Sequence, residues 1–287
     1  MPGSREIRTQ IKSIKNTQKI TRAMEMVAAA KMRRAQEKMS QARPYAQRIR
    51  EVAGRLAMVG AEQAHPYLQK RPKVQGVGIV VVTSDKGLCG GLNANLMRLV
   101  FGQLRAWEQE SKKVAVCAIG RKGLQLLQRT RARIVVQEEN LGDTPQLAKL
   151  IGPLKVMLDL FDSGEVDEVH IAYSRFINTM RQEPTLLPLL PVPPQALETG
   201  KGRWEYLFEP SASAILGELL VRFIESQVYW AVAENMASEQ SARMVAMKSA
   251  TDNAGNLVEE LTLIYNKSRQ AAITKEISEI VAGAEAL

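Results

Sequence analysis

Cysteine, histidine and aromatic residues are all scarce in this 287-residue chain, which has two Cys, two His and 5% Phe, Trp and Tyr together. Cys89 and Cys117 are too few and too isolated for a disulfide framework or a zinc site. They fit a reducing compartment. His65 and His170 stand alone, neither in metal-ligand spacing, and are expected to be ordinary packed or surface residues. No stretch approaches the ~20 apolar residues needed to cross a bilayer. The opening MPGSREIRTQIKSIK has no apolar core like that of a secretory signal. No serine or cysteine nucleophile motif and no paired-carboxylate signature occurs, so no catalytic residue is expected. Composition thus predicts a soluble chain, or one that meets a membrane only through partners.

Charge is present but unevenly placed. Residues 1–57 hold 14 Lys and Arg against 4 Asp and Glu, whereas the remaining residues hold 25 against 26. The whole basic excess of this +9 chain therefore sits at its start.

The same region has a helical stripe. From Ile7 one register runs through Ile11, Ile14, Gln18, Thr21, Glu25, Ala28, Met32, Ala35, Met39, Ala42, Ala46, Ile49, Ala53 and Leu56, apolar except at Gln18, Thr21 and Glu25. A second register runs from Leu216 through Phe223, Trp230, Ala237, Met244, Met247, Ala254, Val258, Leu261 and Tyr265 to Ala272. A 3.5-residue repeat held this long predicts coiled coil. At about 1.5 Å per residue the two helices would reach roughly 80 and 110 Å. Ser4 is the expected first cap, with Glu6 complementing the helix dipole. Pro44 should kink or split the first helix, which is expected to run toward Gly60 and to end by His65-Pro66. Asp252–Asn256 is poor helix material, but the register crosses it unshifted, so one helix is expected from Ser211 to Gly283.

Strands and helices alternate between the two rods. Val77–Thr83 reads as a buried strand, Leu92–Glu110 as a helix, Val114–Ile119 as a strand and Lys122–Gln128 as a short helix. Ile134–Gln137, Gln146–Asp162 and Val166–Tyr173 continue the order as strand, helix, strand. That succession predicts a parallel, doubly wound α/β sheet. Pro184–Pro194 must be extended, at the sheet's edge or outside it, and Gly200-Lys201-Gly202 turns the chain before Trp204–Phe208. The expected division is residues 1–60, N-terminal rod helix; 74–209, globular domain; 210–287, C-terminal rod helix. The terminal helices are expected to pair antiparallel.

Two features invite a chemical reading. Ser84–Asn93 (SDKGLCGGLN) follows the first strand and leads into a helix, where an α/β sheet would cradle a phosphate. Its spacing matches neither GxGxxG nor a P-loop, which favours a structural turn and no bound cofactor. Arg8, Lys12, Lys15, Lys19 and Arg22 lie one position round from the apolar stripe. A solvated face, a track for nucleic-acid phosphates and a surface steered toward an acidic protein all fit that pattern. Nucleic acid is disfavoured by the missing interleaved aromatics, Tyr45 being the one before residue 60.

Four segments, in order, resemble the γ subunits of F-type ATP synthases. They are Ile7-Arg8 through Ile20-Thr21-Arg22-Ala23-Met24-Glu25-Met26-Val27-Ala28-Ala29-Ala30-Lys31-Met32, then Ser84–Asn93, then Ala237-Ser238-Glu239-Gln240-Ser241-Ala242-Arg243-Met244-Val245-Ala246-Met247-Lys248. The last comprises Ile273-Thr274, Glu276, Glu279 and Gly283-Ala284. The resemblance spans the chain, without the chloroplast-type cysteine insert or the cyanobacterial insertion, so a bacterial form is implied. It implies a long antiparallel coiled coil of the terminal helices plus a Rossmann-like α/β domain. It further implies a non-catalytic central-stalk rotor within a ring of three α and three β subunits, joined to the ε subunit and the membrane c-ring. Such a subunit would bind no nucleotide and would sit peripherally on the cytoplasmic face of the bacterial inner membrane. Position by position, Met24, Lys31, Arg33 and Arg34 would touch acidic loops of the catalytic subunits. Arg243, Arg269, Gln270 and Thr274 would contact β or brace Met24.

Overall fold

The run Gly76–Val82 (β1) has no polar side chain and is buried at every position, as only a strand flanked and covered on all sides can be. It lies at the centre of a five-stranded sheet of order β3-β2-β1-β4-β5. The other strands are β2 (Lys113–Ile119), β3 (Arg133–Glu138), β4 (Glu168–Phe176) and β5 (Gln182–Leu190). The first four are mutually parallel, and β5 runs antiparallel to β4. The helices are α1 (Ser4–Met58), α2 (Leu92–Gln109), α3 (Arg121–Leu127), α4 (Leu147–Asp162) and α5 (Ala212–Glu285). The computed structural model describes residues 4–58, 65–130, 132–193, 196–197 and 212–285. The expected endpoint at Gly60, the turn at Gly200–Gly202, Trp204–Phe208 and the Ser211 cap lie outside these, as do the side chains of Ser4, Ala42 and Leu56.

Alternation along β1 separates two cores. Val77, Ile79 and Val81 pack with Leu96, Met97 and Val100 of α2 and with Leu124 and Leu127 of α3. Val80 and Val82 face the other way, into a cluster with Leu150, Leu154, Met157 and Phe161 of α4. Ile49 and Ala53 of α1 and Leu216, Leu220, Phe223 and Ile224 of α5 complete that second cluster. The sheet is therefore covered on both faces, as the alternating order required.

The described chain divides into two compact units, Met1–Ala28 with Arg243–Leu287, and Ala29–Ala242. Three findings refine the expected elements. Helix α1 continues through Pro44 without splitting; Pro44 is exposed, so the carbonyl four residues earlier, deprived of its N–H partner, can turn to water. The proline-rich segment enters the sheet as β5, with Pro184 and Pro188 opposite Ser174 and His170. An edge strand tolerates proline because one of its sides needs no donor. Finally, α5 runs unbroken across Asp252–Asn256, where Ala254 is buried and the Thr251 hydroxyl bonds the Met247 carbonyl at 2.8 Å.

The start of β1 is fastened by Asp167, whose carboxylate accepts from the Gln75 and Gly76 N–H groups at 2.6 and 2.9 Å. Arg71 donates to the same carboxylate at 3.0 Å and to the Phe161 carbonyl at 2.6 Å, its guanidinium 4.8 Å above the Phe161 ring. Burial alone would raise the Asp167 pKa, but the two backbone donors and Arg71 together hold it below the ordinary carboxylate range.

Candidate functional site

The three polar slots that interrupt the α1 stripe are where a structural reason is most needed. Two of them form a polar rung to α5. The Thr21 and Thr251 hydroxyl oxygens lie 2.7 Å apart, and the Gln18 amide donates to the Thr251 carbonyl at 3.4 Å. Each hydroxyl also reaches a carbonyl on its own helix, Gln18 at 3.0 Å and Met247 at 2.8 Å. With one proton each, one threonine donates across the pair and the other donates along its own helix. A Cβ on Gly255 would come within 3.1 Å of the Gln18 amide nitrogen. Gln18 thus meets residue 255 while Thr21 meets residue 251, so the helices of this unit run antiparallel. A polar layer in a seam whose other slots are mostly apolar fixes register, because any slip would leave its groups unpaired.

The buried stripe is the one that periodicity marked: Ile7, Thr21 and Ala28 on α1, Met247 and Ala254 on α5. Continuing the pairing at helical rise, Ser4 falls opposite about residue 269. From that point every described α5 residue through 282 is exposed, including Ile273, Ile277, Ile280 and Val281. These four recur at helical spacing and form a bare apolar face. On α1, Ile20, Met26 and Val27 are exposed as well, beside the exposed basic positions Arg8, Lys12, Lys15, Lys19 and Arg22. Such an apolar and cationic surface is what a protein-binding face requires.

The residues singled out from sequence fall in both units. Met24 is half-buried, and Arg243, 8% exposed, is the one buried cation among them. Arg269, Gln270 and Thr274 are exposed. Arg269 lies 6.0 Å from the Tyr265 ring centre, and the Thr274 hydroxyl bonds the Gln270 carbonyl at 2.9 Å. In the other unit Arg33 and Arg34 are exposed, while the Lys31 ammonium is held by Asp143 at 2.7 Å. Sequence reasoning missed Asp143, because an acid 112 residues away gives no local signal.

Another set without a sequence signal lies where α5 crosses β4. The Asn235 side-chain oxygen, Oδ1, accepts from the buried Ser174 N–H at 3.1 Å, and the Ser238 hydroxyl donates to the Ser174 backbone carbonyl at 2.9 Å. Ser241 donates to the Thr179 carbonyl at 2.6 Å. Glu234 is raised from the usual carboxylate range, chiefly by burial, against the opposing pull of Tyr173, Arg175 and Trp230.

The glycine loop is tied to itself. The Asn93 amide donates to the Ser84 hydroxyl at 2.6 Å and its oxygen accepts from the Ser84 N–H at 3.2 Å. Asp85 accepts from the N–H groups of Arg121 and Leu141 at 3.2 and 3.0 Å, so a carboxylate stands where a phosphate would need donors. Gly120, at φ +92°, closes against Thr83, whose carbonyl a Cβ would strike at 2.2 Å. This is a structural turn. Cys117 is buried and its thiol is pushed up to about 12, by desolvation and then by Glu138, so it is unreactive. His170 packs 5.2 Å from Trp107, and burial lowers its pKa despite Glu168 beside it. Among the described residues no group of His, Cys, Asp or Glu is arranged to hold a metal, and no described helix is long and apolar enough to cross a membrane.

Known proteins resemble the chain along its length. The family model described as ATP synthase matches residues 3–287. The ATP synthase gamma chain of Methylobacillus flagellatus is 57% identical over all of both chains, and that of Nitrosospira multiformis 55%. Among solved structures, a chain of the Euglena gracilis mitochondrial ATP synthase superposes with a TM-score of 0.69 at 20% identity, covering 99% of this chain and 94% of that one. A chain from the central stalk and c-ring of the Tetrahymena thermophila mitochondrial ATP synthase gives 0.59 at 24% identity, over 80% and 99%. At those identities the structures speak for the fold, whereas the full-length sequence kinship establishes descent: this chain belongs to the ATP synthase gamma-chain family.

Proposed function

We propose that this chain is the central-stalk rotor of an F-type ATP synthase, with the α1/α5 pair turning inside a ring of three α and three β subunits. The observation that carries the reading is the antiparallel pair itself, registered by a polar rung and bare of cover along its apolar and basic outer face. Two non-identical helices present a different face to each of three β subunits. Each face favours one β conformation, so rotation becomes a sequence of population shifts. The chain supplies mechanical coupling and the chemistry belongs to the β subunits. Full-length kinship to gamma chains displaces the nucleic-acid reading of the basic stripe.

Residues 1–60 and 210–287 act as shaft, and 74–209 as the body that joins the ε subunit and the membrane c-ring. Met24, Arg33 and Arg34 make the contacts that transmit torque, Arg243, Arg269, Gln270 and Thr274 contact β or brace Met24, and Lys31 takes part only if it exchanges Asp143 for an acid on β. The assembly sits on the cytoplasmic face of a bacterial inner membrane, held there through its partners.

The test is Met24→Lys in the reassembled synthase. An added ammonium beside acidic β groups should form a new contact that resists turning. ATP hydrolysis should persist while proton-driven synthesis falls several-fold; undiminished synthesis would remove Met24 from the coupling surface. Single-molecule observation of the complex under ATP bears on the larger claim: hydrolysis without rotation of this chain would end the rotor reading.

A further inference from the structure

The N-terminal ends of the strands open onto a cleft of about 660 Å³, within the range that holds small organic ligands. One wall is apolar: Phe101 and Leu104 from α2, Val114 from β2, and Ala132 and Val166 from the segments entering β3 and β4. Phe101, Leu104, Val114 and Ala132 are all only partly buried against the core on the α2 side of the sheet, so the wall is a place where core packing stops short.

The rim is charged, and its charges do not cancel. Lys112 pairs with Glu110 at 2.7 Å, and Arg133 pairs with Glu165. That leaves Arg105 and Lys113, exposed and without an ion-pair partner among the described residues, against the single carboxylate of Glu108. Among the described residues the rim therefore carries an excess of positive charge above an apolar wall. A neutral apolar ligand would leave that charge unmatched.

We infer that this cleft binds an amphipathic anion of the class of a medium-chain fatty-acid carboxylate. Its carboxylate meets Arg105 and Lys113 and its chain lies along Phe101, Leu104 and Val114. Nothing in this inference depends on rotation.

The test is photolabelling of the purified full chain, and of the complex assembled with it, by a diazirine derivative of dodecanoate, with labelled peptides mapped by mass spectrometry. Saturable labelling is expected on peptides spanning 97–115 or 130–135, and dodecanoate should compete for it at least ten-fold better than dodecanol. The double variant Arg105→Glu/Lys113→Glu should lower labelling at least ten-fold. Arg98→Glu, which reverses an exposed charge elsewhere on α2, should leave it unchanged. Ala132→Phe fills the apolar wall without touching charge and should also block labelling, with circular dichroism confirming that each variant is folded. Equal competition by dodecanol, labelling that survives both blocking variants, or no labelling of these peptides in the complex would each overturn the inference.

Discussion

Two stretches of α5 use the same helical geometry in opposite ways. Residues 231–241 are buried at every position, and residues 269–282 are exposed at every position. The heptad register passes through both, at Ala233, Ala237 and Gln240 in the first and at Ala272 in the second. Periodicity therefore identifies one face of a helix and says nothing about what covers the others. In the covered stretch Asn235, Ser238 and Ser241 bond to backbone groups of β4 and the turn after it. Burial of polar side chains is tolerable there because each has a partner. In the exposed stretch the anomaly is reversed, with Ile273, Ile277 and Ile280 left about half or more in water among the described residues.

The largest expected effect comes from breaking the covered side of this comparison. Asn235→Ala strands the buried Ser174 N–H and should cost about 2–3 kcal/mol, read as a lower urea midpoint of the full chain. Gln270→Ala, in the exposed stretch, should stay within about 0.5 kcal/mol.

A smaller effect is expected at the polar rung, where covered and uncovered helix meet in one layer. Thr21→Val or Thr251→Val alone removes the bond across the helices while the opposite hydroxyl keeps the carbonyl of its own helix, and should cost about 1 kcal/mol. The double Val variant removes both polar groups at nearly constant shape and should recover most of that loss. Local stability is read by amide exchange on residues 10–28 and 243–260. Additive losses in the double variant would mean that the two threonines do not act as a pair.

Much of this architecture could be read beforehand, and the reasons are particular. The α1 stripe was legible because each of its slots points at one neighbour, and the described slots are buried or half-buried as the spacing required. The β1 run was legible because only a strand enclosed on all sides holds seven residues without a polar side chain. Gln18 and Thr21 stood out as exceptions whose meaning needed α5, since a rung between residues 230 apart has no sequence signature. The same limit hid Asp143 behind Lys31, and it hid Asp85, which closes the glycine loop using the N–H groups of Arg121 at the start of α3 and of Leu141. The candidate coupling residues were read by kinship alone, because exposed arginines on a helix have no pattern that separates a contact from a solvated face.

Titration offers a finer probe of the covered stretch. The folded Glu234 carboxyl is raised above its ordinary value of 4.5, mainly by burial. A raised carboxyl favours the folded state below the unfolded pKa, and that contribution is lost as pH rises through the folded value. Glu234→Gln keeps a side chain that can bond Tyr173 and carries no charge to bury. Its urea midpoint should therefore decline less than the parent's as pH is raised above about 4.5. Parallel profiles for the two proteins would show that Glu234 does not titrate differently on folding.

The smallest effect on the free chain is expected where the comparison is sharpest. Ile273 and Ile277 are 48% and 56% exposed, so Ile273→Ser/Ile277→Ser removes apolar surface that folding of this chain leaves in water. Its thermal midpoint should match the parent's within the scatter of surface substitutions, about 0.5 kcal/mol. In the assembled synthase the same pair should matter more, because covering each isoleucine there contributes on the order of 1 kcal/mol. The complex should accordingly release the variant chain at lower salt or denaturant than the parent. A free chain destabilised by more than about 1 kcal/mol would place these isoleucines under cover of their own chain, and the contrast with residues 231–241 would fail. An unchanged complex would leave the contrast standing, but it would deny the exposed stretch any part in holding the rotor.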